Sequence, residues 1–252
     1  VRGGHLICLA RGDGSTVVCY DKLSGKEVWR SLTAKEPGYC PPTLIHAGGV
    51  EQLIIWHPES LNALNPATGE VQAKVALARK DELDAAVASA AKAQLGWGAT
   101  NPQRRARVMM KFVDLLNRDM DKLAEALSAE HGKTFPDAKG DVQRGLEVIE
   151  FCIGAPHLLK GEYTDSAGTG IDMYSMRQPL GVVAGITPFN FPAMIPLWKM
   201  GPALAAGNAM ILKPSERDPS VPLMLAALLK EAGLPDGVLQ VVNGDKESVD
   251  AI

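Results

Sequence analysis

Three short polar runs each close an apolar, β-branched stretch. Thr187-Pro188-Phe189-Asn190 closes Leu180–Thr187, Lys213-Pro214-Ser215-Glu216 follows Ala209–Leu212, and Asn243-Gly244-Asp245 follows Val238–Val242. The apolar stretches have the look of strands buried on both faces. Pro192 suits the first residue of a helix, where a missing N–H costs nothing, and that helix is expected to end near Gly207-Asn208. Asp218-Pro219 reads as a cap and proline opening a second helix, which stops at Gly233. The order is β-α-β-α-β with short connections, which predicts parallel strands and right-handed crossovers. Such sheets bind ligands at the carboxyl ends of their strands, where all three polar runs sit. The chemistry expected there is ligand binding. Metal chemistry is not expected: His46 and His57 lack partners at ligand spacing. Cys8, Cys19, Cys40 and Cys152 show no C-x-x-C pattern and read as unpaired thiols.

The elements that must carry these runs belong to a chain of 252 residues, 46% hydrophobic, with formal net charge −3. That length supports one or two cores. The weak acidity argues against nucleic acid as a partner, and no apolar stretch is long enough to span a membrane. The opening Val1-Arg2-Gly3-Gly4 leads straight into strand-like sequence. The expectation is therefore no export signal, a cytoplasmic setting and, without an initiator Met, a trimmed or incomplete chain.

Residues 1–72 alternate strand and turn. HLICLA and TVVCY flank the turn Gly12-Asp13-Gly14, Asp21–Gly25 feeds a strand through Trp29, and LIIW at 53–56 is a further strand. Asn65-Pro66-Ala67-Thr68-Gly69-Glu70 repeats the Asp21 turn at roughly 40–45 residues, the period of a propeller blade. The segment resembles the β-propeller repeats of pyrroloquinoline-quinone-like proteins over about one and a half blades. In that reading Trp29 is a packing residue between blades rather than a quinone ligand.

After Val71 the pattern turns helical. Asp81–Trp97 carries Leu83, Val87, Ala90, Ala91 and Leu95 as an apolar stripe. Asn101-Pro102 opens a longer helix ending at Gly132, with Val108, Phe112, Leu115, Leu116, Leu123 and Leu127 inward and Arg104, Arg105 and Arg107 on a solvated face. Pro136 starts another, with Val142, Leu146, Ile149 and Ile153 buried, and Ile171–Gln178 alternates as an exposed hairpin strand.

Taken together, Asn65–Glu70, Glu130-His131-Gly132-Lys133-Thr134, Pro188-Phe189-Asn190-Phe191-Pro192 and Lys213-Pro214-Ser215-Glu216 resemble the aldehyde dehydrogenase superfamily. KGDVQRGLEVIEF, PHLLKGEY, GIDMYSMRQPLGVVAGITPFNFPAMIP, LKPSERDPSVP and VVNGDKE narrow the resemblance to the coenzyme A-acylating, methylmalonate-semialdehyde branch, almost without gaps over 65–252. Each tetrapeptide alone is weak, and their order and spacing make the set specific.

The resemblance implies roles. Asn190 matches the amide that stabilises the oxyanion, worth roughly 3–4 kcal/mol in a dry site. Thr187 and Phe189 match positions lining the NAD site. Lys213 and Glu216 match the pair holding the adenosine ribose hydroxyls, with Arg217 beside them, and a carboxylate is the natural partner of a diol. Gly244 would let backbone approach the cofactor. The first βα turn, TPFNFP, departs from G-x-G-x-x-G, so the usual pyrophosphate cradle is not expected. Arg144 matches an arginine placed to take the substrate carboxylate in a bidentate pair. The implied cofactors are NAD and, as acyl acceptor, coenzyme A. The implied partner is a small semialdehyde, and the family forms homo-oligomers.

The implied chemistry is covalent: a thiolate attacks the aldehyde, hydride leaves to NAD, and the thioester passes to coenzyme A. Cys152 lies in the apolar helix EFCIGA and reads as core, and no cysteine of the chain sits in the family's nucleophile motif. The expected fold class is α/β. It comprises a partial aldehyde-dehydrogenase-type cofactor domain of three parallel strands with crossover helices, preceded by a helical segment and the propeller-like stretch. Its domains are 1–72 and 73–252. Both resemblances share an N-P-x-T-G-E turn, so a fusion is expected near Leu64–Val71. Alternative readings are a non-catalytic nucleotide-binding fragment and a quinoprotein-like module. Turnover, NAD binding without turnover, or a bound quinone would separate the three.

Overall fold

A computed structural model describes residues 3–10, 12–36, 42–47, 50–57 and 60–252. The chain divides into two compact units. One is Val1–Leu77 with Ser128–Gly132, and the other is Ala78–Leu127 with Lys133–Ile252.

In the first unit, β1 (His5–Leu9), β2 (Val17–Asp21) and β3 (Glu27–Ser31) form an antiparallel sheet in chain order. A second antiparallel sheet follows from β4 (Thr43–Ala47), β5 (Val50–His57), β6 (Ser60–Leu64) and β7 (Val71–Ala76). The repeated turn is one device built twice. Asp21 Oδ1 accepts from the Leu23 and Ser24 amides at 3.2 and 2.7 Å, with Gly25 at φ +67°. Asn65 Oδ1 accepts from the Ala67 and Thr68 amides at 2.9 and 3.3 Å, with Gly69 at φ +74°. A short polar side chain satisfying its own turn, then a left-handed glycine, explains both. Trp29 is a packing residue, as expected, although no blades flank it. Its Nε1 donates to the Pro66 carbonyl at 3.2 Å, and a Cβ on Gly69 would fall 2.5 Å from the indole. Val17, Cys19, Leu53, Ile55 and Leu64 complete this small core.

The expected propeller does not form. Among the described residues both sheets are open meanders, one of three strands and one of four, and no ring of blades closes. Two copies of a turn cannot supply the radial repetition a propeller needs. The expected fusion seam also falls inside ordinary structure. The Asn65 turn joins β6 to β7, paired from Ser60↔Ala76 to Leu64↔Val71. His57 is buried, with Ser60 Oγ and Asn62 Nδ2 each 3.1 Å from its Nε2. Cys40 and the side chain of His46 lie outside the described residues.

The helical segment comprises α1 (Lys80–Ala99), α2 (Pro102–Arg118), α3 (Met120–His131), α4 (Phe135–Ile153) and the short α5 (Ala155–Leu158). The buried stripe of α1 is Leu83, Ala90 and Trp97, with Ala86 and Ala93 packed alongside. Val87 and Leu95 face solvent, so the expected stripe was misphased. The single helix expected over 101–132 is broken at Asp119, which closes α2. Asn101 caps α2 by accepting from the Gln103 amide at 2.8 Å.

Arg105 reverses the solvated-face expectation. It is 4% exposed, with Nε donating to the Ala205 carbonyl at 3.0 Å and Nη1 to Gly98 at 3.3 Å and to Thr100. All three are carbonyls at helix C-termini, where the partial charge is negative, so the buried guanidinium is balanced without a carboxylate. Burial holds its pKa below the ordinary arginine value.

β8 (Tyr163–Gly168) and β9 (Ile171–Tyr174) make the exposed hairpin. Then come β10 (Val182–Ile186), α6 (Met194–Ala205), β11 (Ala209–Lys213), α7 (Ser220–Glu231), β12 (Leu239–Val241) and α8 (Lys246–Ala251). The three strands are parallel in the order β10-β11-β12, as the β-α-β-α-β pattern predicts. Two start signals shift. α6 begins at Met194 rather than Pro192, and α7 begins at Ser220 with Pro219, not Asp218, at its cap. α4 and α6 meet through glycine. A Cβ on Gly145 would lie 2.4 Å from Leu197, and one on Gly201 2.8 Å from Ile149 and 3.1 Å from the Cys152 sulfur. That spacing lets the helices pack closely on a core including Met109, Phe112, Leu116, Leu146 and Leu204, each side chain worth about 1.5–3 kcal/mol when fully buried.

Candidate functional site

Strand register brings two of the polar runs together at the carboxyl end of the sheet. Ile186 pairs with Lys213, and the Thr187 amide donates to the Lys213 carbonyl at 3.0 Å. Leu212 pairs with Val241, and the Val242 amide donates to the Leu212 carbonyl at 2.9 Å, which sets the third run beside them. β11 is buried along its whole length, so Lys213 leaves the strand almost fully enclosed. Its ammonium is held by Glu216 Oε2 at 2.8 Å, the Lys213 side chain being 6% exposed and that of Glu216 19%. Arg217 lies over the Phe189 ring, 5.1 Å from its centroid, which joins the first and second runs by a cation–π contact. The Arg217 amide is fixed by Ser215 Oγ at 3.1 Å.

Thr187 is buried, and its hydroxyl has no hydrogen-bond partner. A buried hydroxyl left unpaired costs on the order of 1–3 kcal/mol, so a ligand atom that paired with it would gain that much in selectivity. Asn190 is exposed in the turn after Phe189, between Thr187 and the start of α6. Gly244 is buried, and a Cβ there would lie 2.0 Å from Ser248 Oγ. The packing of α8 therefore requires glycine at this position. Arg144 projects from the exposed side of α4, and its carbonyl accepts from Trp198 Nε1 at 3.1 Å.

The sequence reading missed two residues that hold the first run. Asp141 is buried on α4. Its Oδ1 accepts from the Met194 amide at 2.7 Å and its Oδ2 from Lys133 Nζ at 2.7 Å. Lys133 also stands 4.1 Å from the Phe191 ring centroid. A signal was present: Ala138, Val142 and Gly145 share Asp141's face of the helix, and an acid on a buried stripe demands a partner. Cys152 is core, as expected. Burial raises its thiol from 9.0 to about 11. Among the described residues no group of three or more His, Cys, Asp or Glu side chains is arranged for a metal ion, and no helix is long and apolar enough to cross a membrane.

A parallel α/β sheet with its polar runs gathered at the strand ends defines the class. Residues 56–252 match the aldehyde dehydrogenase family, and the chain belongs to that family. The match starts within β5, upstream of the expected seam. The chain is 49% identical over 201 residues to a malonate-semialdehyde dehydrogenase of Pseudomonas aeruginosa, which covers 80% of this chain and 40% of the relative. It is 51% identical over 192 residues to the acylating, mitochondrial methylmalonate-semialdehyde dehydrogenase of Arabidopsis thaliana, covering 76% of this chain and 32% of the relative. A crystal structure described as a methylmalonate-semialdehyde dehydrogenase of Sinorhizobium meliloti, complexed with NAD, superposes with TM-score 0.73 at 68% identity. It covers 77% of this chain and 40% of that one. The chain thus spans about two-fifths or less of the length of these relatives.

Proposed function

We propose that this chain supplies the cofactor site and oxyanion donor of an NAD-dependent, coenzyme A-acylating dehydrogenase of malonate or methylmalonate semialdehyde. The observation that carries the reading is the enclosed Lys213–Glu216 pair beside the unpaired, buried Thr187 hydroxyl at the carboxyl end of the sheet. These residues fit NAD: Glu216 and Lys213 offer an acceptor and a donor to a ribose diol, and Thr187 and Phe189 line the approach. NAD, when bound, supplies the hydride acceptor, and coenzyme A takes the acyl group. Asn190 directs its side-chain amide at the negative charge that develops on the aldehyde oxygen. Arg144 receives the substrate carboxylate in a bidentate pair. Gly244 gives the third run its close backbone approach. A homo-oligomer with small-molecule partners, and with neither nucleic acid nor membrane, completes the reading.

The thiolate that this chemistry needs is not Cys152, whose sulfur packs against Gly201 and stays protonated at neutral pH. Calorimetric titration of the chain with NAD, run beside an assay for NADH from methylmalonate semialdehyde with coenzyme A, tests the proposal. The expected result is saturable NAD binding, weakened about tenfold or more by Glu216→Ala, without turnover by this chain. Absence of NAD binding at millimolar concentration would sink the proposal.

A further inference from the structure

The loop carrying Asn190 runs from the end of β10 to the first turn of α6. Its start is tied to β11 through Thr187. Its end is held from another part of the chain. Met194 is the first residue of α6, and its amide has no partner within the helix. Asp141 Oδ1 accepts that amide at 2.7 Å, a carboxylate at the positive end of a helix dipole. The Asp141 side chain has no exposed surface and that of Lys133 only 10%, so the pair is enclosed. From that enclosure the Lys133 ammonium also faces the Phe191 ring, and Phe191 is the residue after Asn190.

A neutral serine or asparagine would cap α6 without burying two charges. The pair does more than cap. The carboxylate fixes Met194, and the ammonium it neutralises grips Phe191, four residues after the Thr187 anchor. Asn190 is confined between two fixed points.

We propose that Asp141 and Lys133 are positioning residues that set the geometry of the Thr187–Ala193 loop and, through it, the Asn190 amide. The inference deepens the proposed function and rests on it for the meaning of Asn190. The clamp itself is tested independently of that function.

The experiment is site-resolved amide exchange on the 252-residue chain, with NAD affinity measured alongside, for wild type, Asp141→Ala, Asp141→Asn, Lys133→Met and Lys133→Arg. Asp141→Ala is expected to speed exchange at Asn190, Phe191 and Met194 by about tenfold or more, and Lys133→Met at Asn190 and Phe191, while core amides of α4 and β11 keep their rates. Asp141→Asn keeps an acceptor for Met194 and loses the partner of Lys133. It is expected to leave Met194 protected and to release Phe191. Lys133→Arg keeps the cation and should restore protection to within about threefold of wild type. NAD affinity should fall in the order of loop release. Uniform acceleration across the second unit would overturn the proposal, since a residue that only stabilises the fold acts everywhere. Unchanged exchange at 190–194 would overturn it too. If Asp141→Ala does not fold, Asp141→Asn and Lys133→Arg decide. If wild type binds no NAD, the proposed function fails while the exchange pattern still tests the clamp.

Discussion

Arg105 shows how one side chain can hold several helix ends. Replacing it with alanine leaves the carbonyls of Gly98, Thr100 and Ala205 without their donor. The expected cost is about 2–4 kcal/mol, read as a lower urea midpoint at unchanged slope. Arg104→Ala, on the exposed neighbour, should stay within about 0.5 kcal/mol. Cys152 makes a second prediction at this scale. Its thiol is raised from 9.0 to about 11, so the folded protein holds that proton where the unfolded chain has released it. The contribution to stability is complete below pH 9.0 and is lost as pH rises from there toward about 11. Native Cys152 should therefore resist thiol reagents at pH 8 and react once urea unfolds the chain. The core reading of Cys152 was legible because its neighbours in EFCIGA are apolar. The burial of Arg105 was not, because its Ala205 partner lies 100 residues away.

At the scale of elements, the α4–α6 contact depends on two missing methyl groups. Gly145→Ala would drive a Cβ to 2.4 Å from Leu197 Cδ1 and 3.0 Å from its Cβ, forcing the helices apart. We expect a loss of about 1–3 kcal/mol, visible as a lower thermal midpoint of the second unit, and no loss for Gly140→Ala, where a Cβ meets nothing within 4 Å. The twin turns predict an acid asymmetry. The Ser24 amide and hydroxyl hold the Asp21 carboxyl below its usual 3.8. A depressed carboxyl stabilises above that value and loses the effect as pH falls through its folded pKa. Asn65 carries no charge. The Leu23 and Ser24 amide resonances should shift as Asp21 takes up a proton, a titration that the Asn65 side chain cannot impose on Ala67 and Thr68. Element types and order were largely readable, since caps, prolines and glycines act locally. The phase of α1 was not, because alanines at 86, 90 and 93 carry too little hydrophobicity to outvote Val87 and Leu95, which face solvent. The break at Asp119 was hidden in the same way, by apolar positions continuing at helical spacing on both sides.

For the whole molecule, the two compact units give separable responses. Gly69→Ala places a Cβ against the Trp29 indole and demands a left-handed alanine. It should destabilise the first unit by about 1–3 kcal/mol and leave NAD affinity unchanged. The Trp29 indole resonance, followed on heating, checks this against calorimetry with NAD. The gathering of the polar runs at the strand ends was visible in the sequence because a β-α-β-α-β order with short connections makes the strands parallel. The propeller was overread because a turn motif is local, while closure of a ring is a property of the whole array. Both ends of α6 are held from other helices. Its first amide is held by a carboxylate from α4 and its last carbonyl, that of Ala205, by a guanidinium from α2, both buried. If α6 docked on either helix alone, its other terminus would lack its charged partner, a lost hydrogen bond worth about 1.5–3 kcal/mol. We therefore expect α6 to close after α2 and α4 have come together. In kinetic terms α6 is a late arrival, and weakening either grip should speed unfolding while leaving the folding rate nearly unchanged.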